Sequence, residues 1–165
     1  MKDRIVIIGG GGHSKVLISI LKKNKNYIIE GYTDNENCGE ILGIKYLGND
    51  EILDELFKQG INYAALGLGQ VNFTKKRHEL ANKIKNKGFK FPSIISPEAV
   101  VNNSVMIEEG VQVFDGVVVN SDTTIGDFTI LNTNSTIEHD CKIGKYCHVA
   151  TGATLSGGVE IGDFT

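Results

Sequence analysis

Short apolar runs alternate with amphipathic stretches through the first half of the chain. Runs rich in β-branched residues predict strands, and stretches with apolar residues at helical spacing predict helices. The predicted strands are Arg4–Ile8, Tyr27–Thr33, Ile61–Gly67 and Phe89–Ile95, and the predicted helical stretches are His13–Asn24, Asn49–Gln59 and Asn72–Lys87. Strands that alternate with helices favour a parallel sheet with crossover connections. We therefore predict an α/β, Rossmann-like domain over residues 1–92.

The hydrophobic period changes to six residues from Ile95 onward. An aliphatic residue occupies every sixth position, and a small or β-branched residue lies four places after each of them. The aliphatic positions are Ile95, Val101, Ile107, Val113, Val119, Ile125, Leu131, Ile137, Ile143, Val149, Leu155 and Ile161. This period fits neither an α-helix nor a simple alternating strand, so it indicates two inward positions in each group of six residues.

Such a hexapeptide is the repeat of a parallel β-helix, in which three hexapeptides complete one triangular coil. Residues 93–165 are thus predicted to form an all-β domain of about four coils, at about 18 residues a coil. The chain stops within a hexapeptide, at Ile161–Thr165, without an atypical repeat to cover the last apolar layer. We therefore expect this β-helix to be incomplete at its C-terminus.

Composition and charge argue against several classes of function. The net charge of -3 provides no basic field, which argues against nucleic-acid binding. No apolar run approaches the ~20 residues of a membrane-spanning helix, and Met1 leads into a predicted strand without a signal-peptide pattern. The cysteines lack metal-type spacing, and Cys141 and Cys147 occupy inward positions, where we expect them to pack in the core. These features predict a cytoplasmic protein that does not insert into membranes.

A glycine-rich segment, Gly9–Ser14, joins the first predicted strand to the first predicted helix. Glycines at a helix N-terminus expose backbone N–H groups that bind phosphate. Asp34 ends the second predicted strand, roughly where dinucleotide-binding folds place a ribose-contacting acid. A nicotinamide or flavin enzyme is therefore one interpretation, and a glycine turn without a ligand is another. The small size of the domain favours a mononucleotide.

Two histidines lie in the repeat region. His139 is at an outward position beside Asp140, and a histidine with an adjacent carboxylate is the minimum for general-base catalysis near neutral pH. His148 is a second candidate, and an incidental surface position is the alternative for His139. A zinc-dependent hydratase with three histidine ligands is a further alternative, although the repeats contain two histidines. The basic segment Lys75–His78 is interpreted as a solvated helix face.

Five motifs extend these observations to a known family. They are Ile7–His13, Tyr32–Asn35, Ala65–Gly67, Ile137–Gly144 and His148–Ala153. With them the chain resembles the sugar O-acyltransferase family of hexapeptide-repeat acyltransferases, which includes sialic acid O-acetyltransferases and UDP-4-amino-sugar N-acetyltransferases of the bacillosamine type. The resemblance implies a left-handed β-helix, a homotrimer, and acetyl-CoA as co-substrate without a metal.

The resemblance also implies roles for individual residues. His139 would be the proton acceptor, and Asp140 would raise its basicity. The nucleotide-sugar site would be bordered by Gly11, Gly12, His13, Asp34, Asn35 and Gly67, and acetyl-CoA would be contacted by His148 and Gly157. The implied reaction is N-acetylation of a UDP-4-amino-4,6-dideoxy-N-acetylhexosamine by direct transfer. O-acetylation of sialic acid and a non-catalytic nucleotide-sugar-binding scaffold are the alternatives.

Overall fold

A computed structural model describes residues 2–70 and 75–165. The chain divides into two compact units, and the boundary between them falls between Pro92 and Ser93. The two units differ in architecture, as the change of hydrophobic period predicts.

The first unit is built on a four-stranded parallel sheet in the order β3-β2-β1-β4. The strands are β1 (Asp3–Ile8), β2 (Tyr27–Thr33), β3 (Tyr46–Gly48) and β4 (Tyr63–Leu66). The helices are α1 (Gly12–Asn24), α2 (Leu53–Lys58), which follows a 3₁₀ turn at Asp50–Ile52, and α3 (Lys76–Lys85). The last four residues of β1 are buried, as expected for a central parallel strand. The α/β prediction is confirmed.

The predicted strand Phe89–Ile95 does not form as one element. Lys90 makes an isolated bridge to Tyr63, whereas Ile94–Ile95 is the first strand of the second unit. Pro92 lies between them and lacks the N–H that a continuous ladder needs. The start of the third predicted helical stretch, residues 72–74, lies outside the described residues.

The prediction of a solvated face for Lys75–His78 is wrong at Arg77. This side chain is 3% exposed, and its Nε donates to the backbone carbonyl of Leu68 at 3.1 Å. Arg77, Ala81 and Ile84 share one face of α3 and are all buried. Because Lys75–His78 is rich in basic side chains, the helical spacing of its buried face was not apparent from the sequence.

The second unit is a left-handed parallel β-helix. The six-residue period predicts its coils, and the family resemblance implies its hand. Twelve two-residue strands form three parallel sheets of four strands, which makes four coils. They are β5 (Ile94–Ile95), β6 (Val100–Val101), β7 (Met106–Ile107), β8 (Gln112–Val113), β9 (Val118–Val119), β10 (Thr124–Ile125), β11 (Ile130–Leu131), β12 (Thr136–Ile137), β13 (Lys142–Ile143), β14 (His148–Val149), β15 (Thr154–Leu155) and β16 (Glu160–Ile161).

Stacking between coils holds the second unit together. The aliphatic positions of the middle coils are buried, and so are Cys141 and Cys147, which confirms their assignment to the core. Phe128, Tyr146 and Phe164 occupy the same turn of successive coils, and their rings stack with centroids 5.0 and 5.4 Å apart. Such contacts between equivalent positions repeat every 18 residues, which fixes the register of each coil on the next.

Candidate functional site

The glycine-rich loop of the first unit lies at the carboxyl ends of β1 and β4. Gly9 has φ +107 and donates its N–H to the carbonyl of Thr33 at 2.7 Å, which carries the chain out of the sheet. The buried hydroxyl of Ser14 lies 2.6 Å from the carbonyl of Gly9 and 3.0 Å from that of Gly67. One side chain of α1 thereby holds the two strand ends together.

Both backbone polar groups of Gly67 contribute to the junction between the ends of β1 and β4. Its N–H donates to the carbonyl of Ile8 at 2.7 Å, and its own carbonyl faces Ser14. A Cβ at position 67 would lie 1.9 Å from the Ser14 hydroxyl. Gly67, which is predicted to border the nucleotide-sugar site, therefore leaves no space for a side chain at this junction.

The Gly67→Ala variant is expected to be less stable than the wild type by about 1–3 kcal/mol, the usual cost of an extra methyl in a filled core. Gly12→Ala is the matched control, because no atom lies within 4 Å of a Cβ there and alanine favours a helix. Urea denaturation followed by circular dichroism measures both variants. Equal midpoints for the two would show that the junction tolerates the methyl group.

Asp34, which directly follows β2, is hydrogen-bonded to the glycine-rich loop. Its Oδ2 accepts a hydrogen bond from the Gly10 N–H at 2.6 Å, and its Oδ1 lies 3.3 Å from the N–H of Glu36. A cavity of about 110 Å³ borders these groups and is lined by Gly9, Asp34, Asn35, Asp50, Leu68 and Leu80, among others. The cavity lies where the strand order reverses around β1, the place where open α/β sheets bind ligands.

The N-terminus of α1 faces solvent beside this cavity. Gly11 is the N-cap residue, and no side chain of the described residues caps this end or places an acid in its first turn. Gly11 and Gly12 are exposed, and a Cβ at either position would meet no atom within 4 Å. The first N–H groups of the helix are therefore accessible to an anion such as a phosphate. His13 is half-buried next to Gly69.

The histidine and carboxylate of the second unit form a pair. His139 Nδ1 lies 2.7 Å from Asp140 Oδ2, and both side chains are 65% exposed. With the Nδ1 proton donated to the carboxylate, the Nε2 lone pair is available to accept a proton. The hydrogen bond to Asp140, followed by the charge of that carboxylate, raises the pKa of His139 above its usual value.

Gly157 lies directly beneath this imidazole, one coil further along the chain. A Cβ at position 157 would lie 2.7 Å from both Cε1 and Nε2 of His139. The Gly158 N–H donates to the carbonyl of His139 at 2.8 Å, which ties the two coils together at this corner. Glycine at position 157 therefore leaves the space that the ring occupies.

His148 belongs to a different face of the β-helix. It begins β14, and its Nε2 lies 2.9 Å from Nδ2 of Asn132, so that the amide can donate to the ring nitrogen. His139, in contrast, follows β12, in the sheet that contains β6, β9 and β15. The sequence analysis did not identify Asn132 as a contact of His148. The repeat could have indicated it, because Asn132 lies one coil before Ala150, which is two residues after His148.

Three further observations concern metal binding, membrane-spanning helices and the reactivity of a cysteine. No group of three metal-binding side chains occurs among residues 2–70 and 75–165. In that same part of the chain, no helix has the length and hydropathy needed to cross a bilayer. Burial raises the pKa of the Cys147 thiol, which disfavours the thiolate that a nucleophile requires.

Two features near the sites were not recognised from the sequence. Asp50 lines the cavity and accepts a hydrogen bond from the Thr33 hydroxyl at 2.8 Å. A ladder of Asn102, Asn120 and Glu138 ends beside His139. The 18-residue spacing of the ladder is the signal that could have identified it.

Comparisons with known proteins agree with both units. Residues 4–84 match the family described as PglD N-terminal domain, and residues 122–157 match the family described as bacterial transferase hexapeptide (six repeats). A curated relative, the GDP-perosamine N-acetyltransferase of Escherichia coli O157:H7, is 35% identical over 89 residues. That match covers 54% of this chain and 40% of the relative, so the chain spans less than half of that protein.

Solved structures match nearly the whole chain. A histidine-to-alanine mutant of the GDP-perosamine N-acetyltransferase of Caulobacter crescentus, in complex with CoA and GDP-perosamine, has a TM-score of 0.89 and 36% identity. The match covers 94% of this chain and 72% of that one. The acetyltransferase domain of PglB from Neisseria gonorrhoeae FA1090, in complex with acetyl coenzyme A, has a TM-score of 0.88 at 28% identity, with coverage of 97% and 76%. The chain therefore belongs to the hexapeptide-repeat sugar acyltransferases that carry a PglD-type N-terminal domain.

Proposed function

We propose that this protein transfers the acetyl group of acetyl-CoA to the amino group of a nucleotide-linked amino sugar, with His139 as general base. The observation that carries the proposal is the His139–Asp140 pair, in which Nδ1 is held at 2.7 Å and Nε2 remains as the proton acceptor. Among the similar proteins, the Caulobacter crescentus enzyme binds CoA and GDP-perosamine, and the PglB domain binds acetyl coenzyme A. These ligands support the proposed pair of substrates.

The proposed reaction is a direct transfer within one ternary complex. The amine lone pair attacks the thioester carbonyl and forms the new C–N bond, while Nε2 of His139 takes a proton from the nitrogen. Collapse of the tetrahedral intermediate breaks the C–S bond, and the proton then passes from His139 to the departing CoA thiolate. General-base assistance of this kind contributes about 10²- to 10⁴-fold to the rate.

The first unit is proposed to hold the nucleotide. The open N-terminus of α1, at Gly11, Gly12 and His13, suits the diphosphate, because its N–H groups and helix dipole favour negative charge. Asp34 and Asn35 border the adjoining cavity, where the nucleoside is proposed to lie. Asp34 would contact the ligand while it also holds Gly10 in place.

Acetyl-CoA is proposed to contact His148 and Gly157. The Gly157 backbone lies against the imidazole of His139, which suits a thioester placed next to the base. His148 lies on another face of the β-helix, so we propose a homotrimer in which neighbouring subunits together complete the site. The three free cysteines fit a reducing compartment, and the proposal therefore places the enzyme in the cytoplasm.

The proposed transfer has three candidate classes of acceptor. A UDP-linked 4-amino-4,6-dideoxy sugar is the acceptor predicted from the sequence, and a GDP-linked amino sugar is supported by the names of the similar enzymes. Acetylation of a sialic acid hydroxyl is the alternative within the same chemistry. A scaffold that binds a nucleotide sugar without acyl transfer is the alternative from another class.

The proposal is tested by release of free CoA thiol from acetyl-CoA in the presence of one acceptor at a time. The acceptors are a UDP-linked 4-amino sugar, GDP-perosamine, UDP-GlcNAc and sialic acid. Thiol release that requires an amino sugar, with the acetylated product seen by mass spectrometry, is the expected result. Binding of a nucleotide sugar without thiol release from any acceptor would favour the scaffold instead.

Removal of the Asp140 carboxylate is expected to move the acid limb of the pH–rate profile to lower pH. His139 acts in its neutral form, so kcat/KM falls as the pH drops through a pKa that Asp140 raises above about 6.5. In Asp140→Asn the pKa of His139 returns towards its ordinary value, so the acid limb shifts downward. The plateau is expected to fall about tenfold or more, since the ring loses its orientation and part of its basicity.

The matched control is Asp122→Asn, because Asp122 occupies the same turn position one coil earlier, with φ +62 against +60 for Asp140. Its profile is expected to coincide with that of the wild type. An unchanged acid limb in Asp140→Asn would show that the carboxylate does not act on His139.

A further inference from the structure

A hydrogen-bonded ladder of side chains runs along the corner of the β-helix that carries His139. Asn102 Nδ2 donates to Asn120 Oδ1 at 3.0 Å, and Asn120 Nδ2 donates to Glu138 Oε2 at 2.9 Å. Each member lies 18 residues after the previous one, so the ladder crosses one coil at each step. Its last member, Glu138, directly precedes His139, the proposed general base.

The ladder has a defined direction. Asn102 Nδ2 also faces the backbone carbonyl of Val119 at 3.3 Å, which fixes the orientation of that amide. The Asn120 carbonyl must then accept, so its amino group points towards Glu138 and requires an acceptor there. An ionised carboxylate satisfies this requirement. In the part of the chain that the structure describes, the second oxygen, Oε1, has no hydrogen-bond partner, and Glu138 is half-buried.

Glu138 brings a second negative charge to His139, which is already paired. The pKa of His139 is raised first by its hydrogen bond to Asp140, then by the charge of Asp140, and the charge of Glu138 adds to these. The orientation of the ring is thus supplied by Asp140. The Glu138 carboxylate belongs to the residue that directly precedes the base. Asn120 holds one of its oxygens, and the other has no protein partner in the described part of the chain.

A fixed anion at this place suits a cationic ligand group. A primary amine is largely protonated near neutral pH, and its nitrogen becomes positively charged again when it attacks a carbonyl. A hydroxyl acceptor is neutral when it binds. A carboxylate held at the site therefore favours an amine over a hydroxyl both in binding and in the tetrahedral intermediate.

We propose that Glu138, held by the Asn102–Asn120 ladder, is the specificity-determining residue that selects an amino sugar over its hydroxyl counterpart. This inference rests on the proposed acetyl transfer and names the acceptor class for the same site. The amine binds next to the Oε1 atom of Glu138, loses one proton to solvent, and attacks as the free base. His139 then takes the second proton.

The test compares the binding of two ligands to wild type and Glu138→Gln by titration calorimetry. One ligand is the amino sugar nucleotide that supports thiol release, and the other carries a hydroxyl in place of that amine. Glutamine keeps an acceptor for Asn120 and removes the charge. The variant is expected to bind the amino sugar about tenfold more weakly and the hydroxyl sugar with less than about a twofold change.

Two further variants keep the test decisive. Glu160→Gln removes a carboxylate that pairs with Lys142 at 2.7 Å on another sheet, and it is expected to change neither affinity. Asn120→Ala keeps the Glu138 charge but removes its donor, and it is expected to lose part of the preference for the amine. Equal weakening of both ligands in Glu138→Gln, or no weakening of either, would overturn the assignment. Absence of acetyl transfer in the wild type would instead refute the proposed function.

Discussion

Replacement of His139 by alanine is expected to lower kcat for acetyl transfer at least a hundredfold. The imidazole is the group beside Asp140 that can take the proton of the attacking amine, and loss of a general base removes about 10²- to 10⁴-fold. Acceptor affinity is expected to stay nearly unchanged, because the nucleotide is proposed to bind in the first unit and the amine next to Glu138, which this variant retains. Steady-state thiol release gives kcat, and calorimetry gives the affinity for the nucleotide sugar.

The control for this variant is His78→Ala, which removes an imidazole from α3, where no role in catalysis is proposed. Its kcat is expected to match that of the wild type within about twofold, because His78 contacts Asn82 on the same helix and no part in the reaction is proposed for it. Near-normal turnover of His139→Ala would exclude the residue as the base. The reaction would then need another proton acceptor, and His148 would be the next residue to substitute.

The Gly157→Ala variant is expected to lower kcat about tenfold to a hundredfold without a loss of thermal stability. Its new methyl group would lie 2.7 Å from Cε1 and Nε2 of His139. Because the imidazole is largely exposed, the ring can rotate about χ1 away from the new methyl group at little cost to folding. The base would then be displaced from the attacking amine, and a displacement of about 1 Å can cost about 10²-fold.

The matched control is Gly162→Ala, since a Cβ at that glycine meets no atom within 4 Å. The readouts are kcat, KM and the melting temperature of each variant. A loss of both activity and stability in Gly157→Ala would point to a packing defect of the coil. Full activity would mean that the working position of the ring differs from its position over Gly157.

The two units were not equally predictable from the sequence. The period of six from Ile95 predicted the strands of the β-helix, because each hexapeptide has one strand and one turn whatever its neighbours. In the first unit, Tyr27–Thr33 formed as predicted, whereas β3 is too short for a periodic signal and was missed. Pro92 divided a segment whose β-branched residues alone predicted a single strand.

The contacts within the candidate site were only partly predictable from the sequence. The His139–Asp140 pair is adjacent in sequence, so its hydrogen bond could be expected. The engagement of Asp34 by Gly10 and the burial of Arg77 depend on tertiary packing, which no local pattern reports. The hydrogen bonds of Asn102, Asn120 and Glu138 join residues one coil apart, so no single hexapeptide indicates them.

Because equivalent positions of neighbouring coils contact each other, the length of the second unit is expected to change in steps of one coil. The placement of His139 over Gly157 and of Tyr146 on Phe128 requires 18 residues between equivalent positions. Gain or loss of a whole coil outside the site would keep every such alignment, whereas any other change in length must bulge outward at a corner. Relatives of this protein are thus expected to differ in length by complete coils or by loops at the corners, and recombination between them is expected to succeed where the exchanged segment is a whole coil.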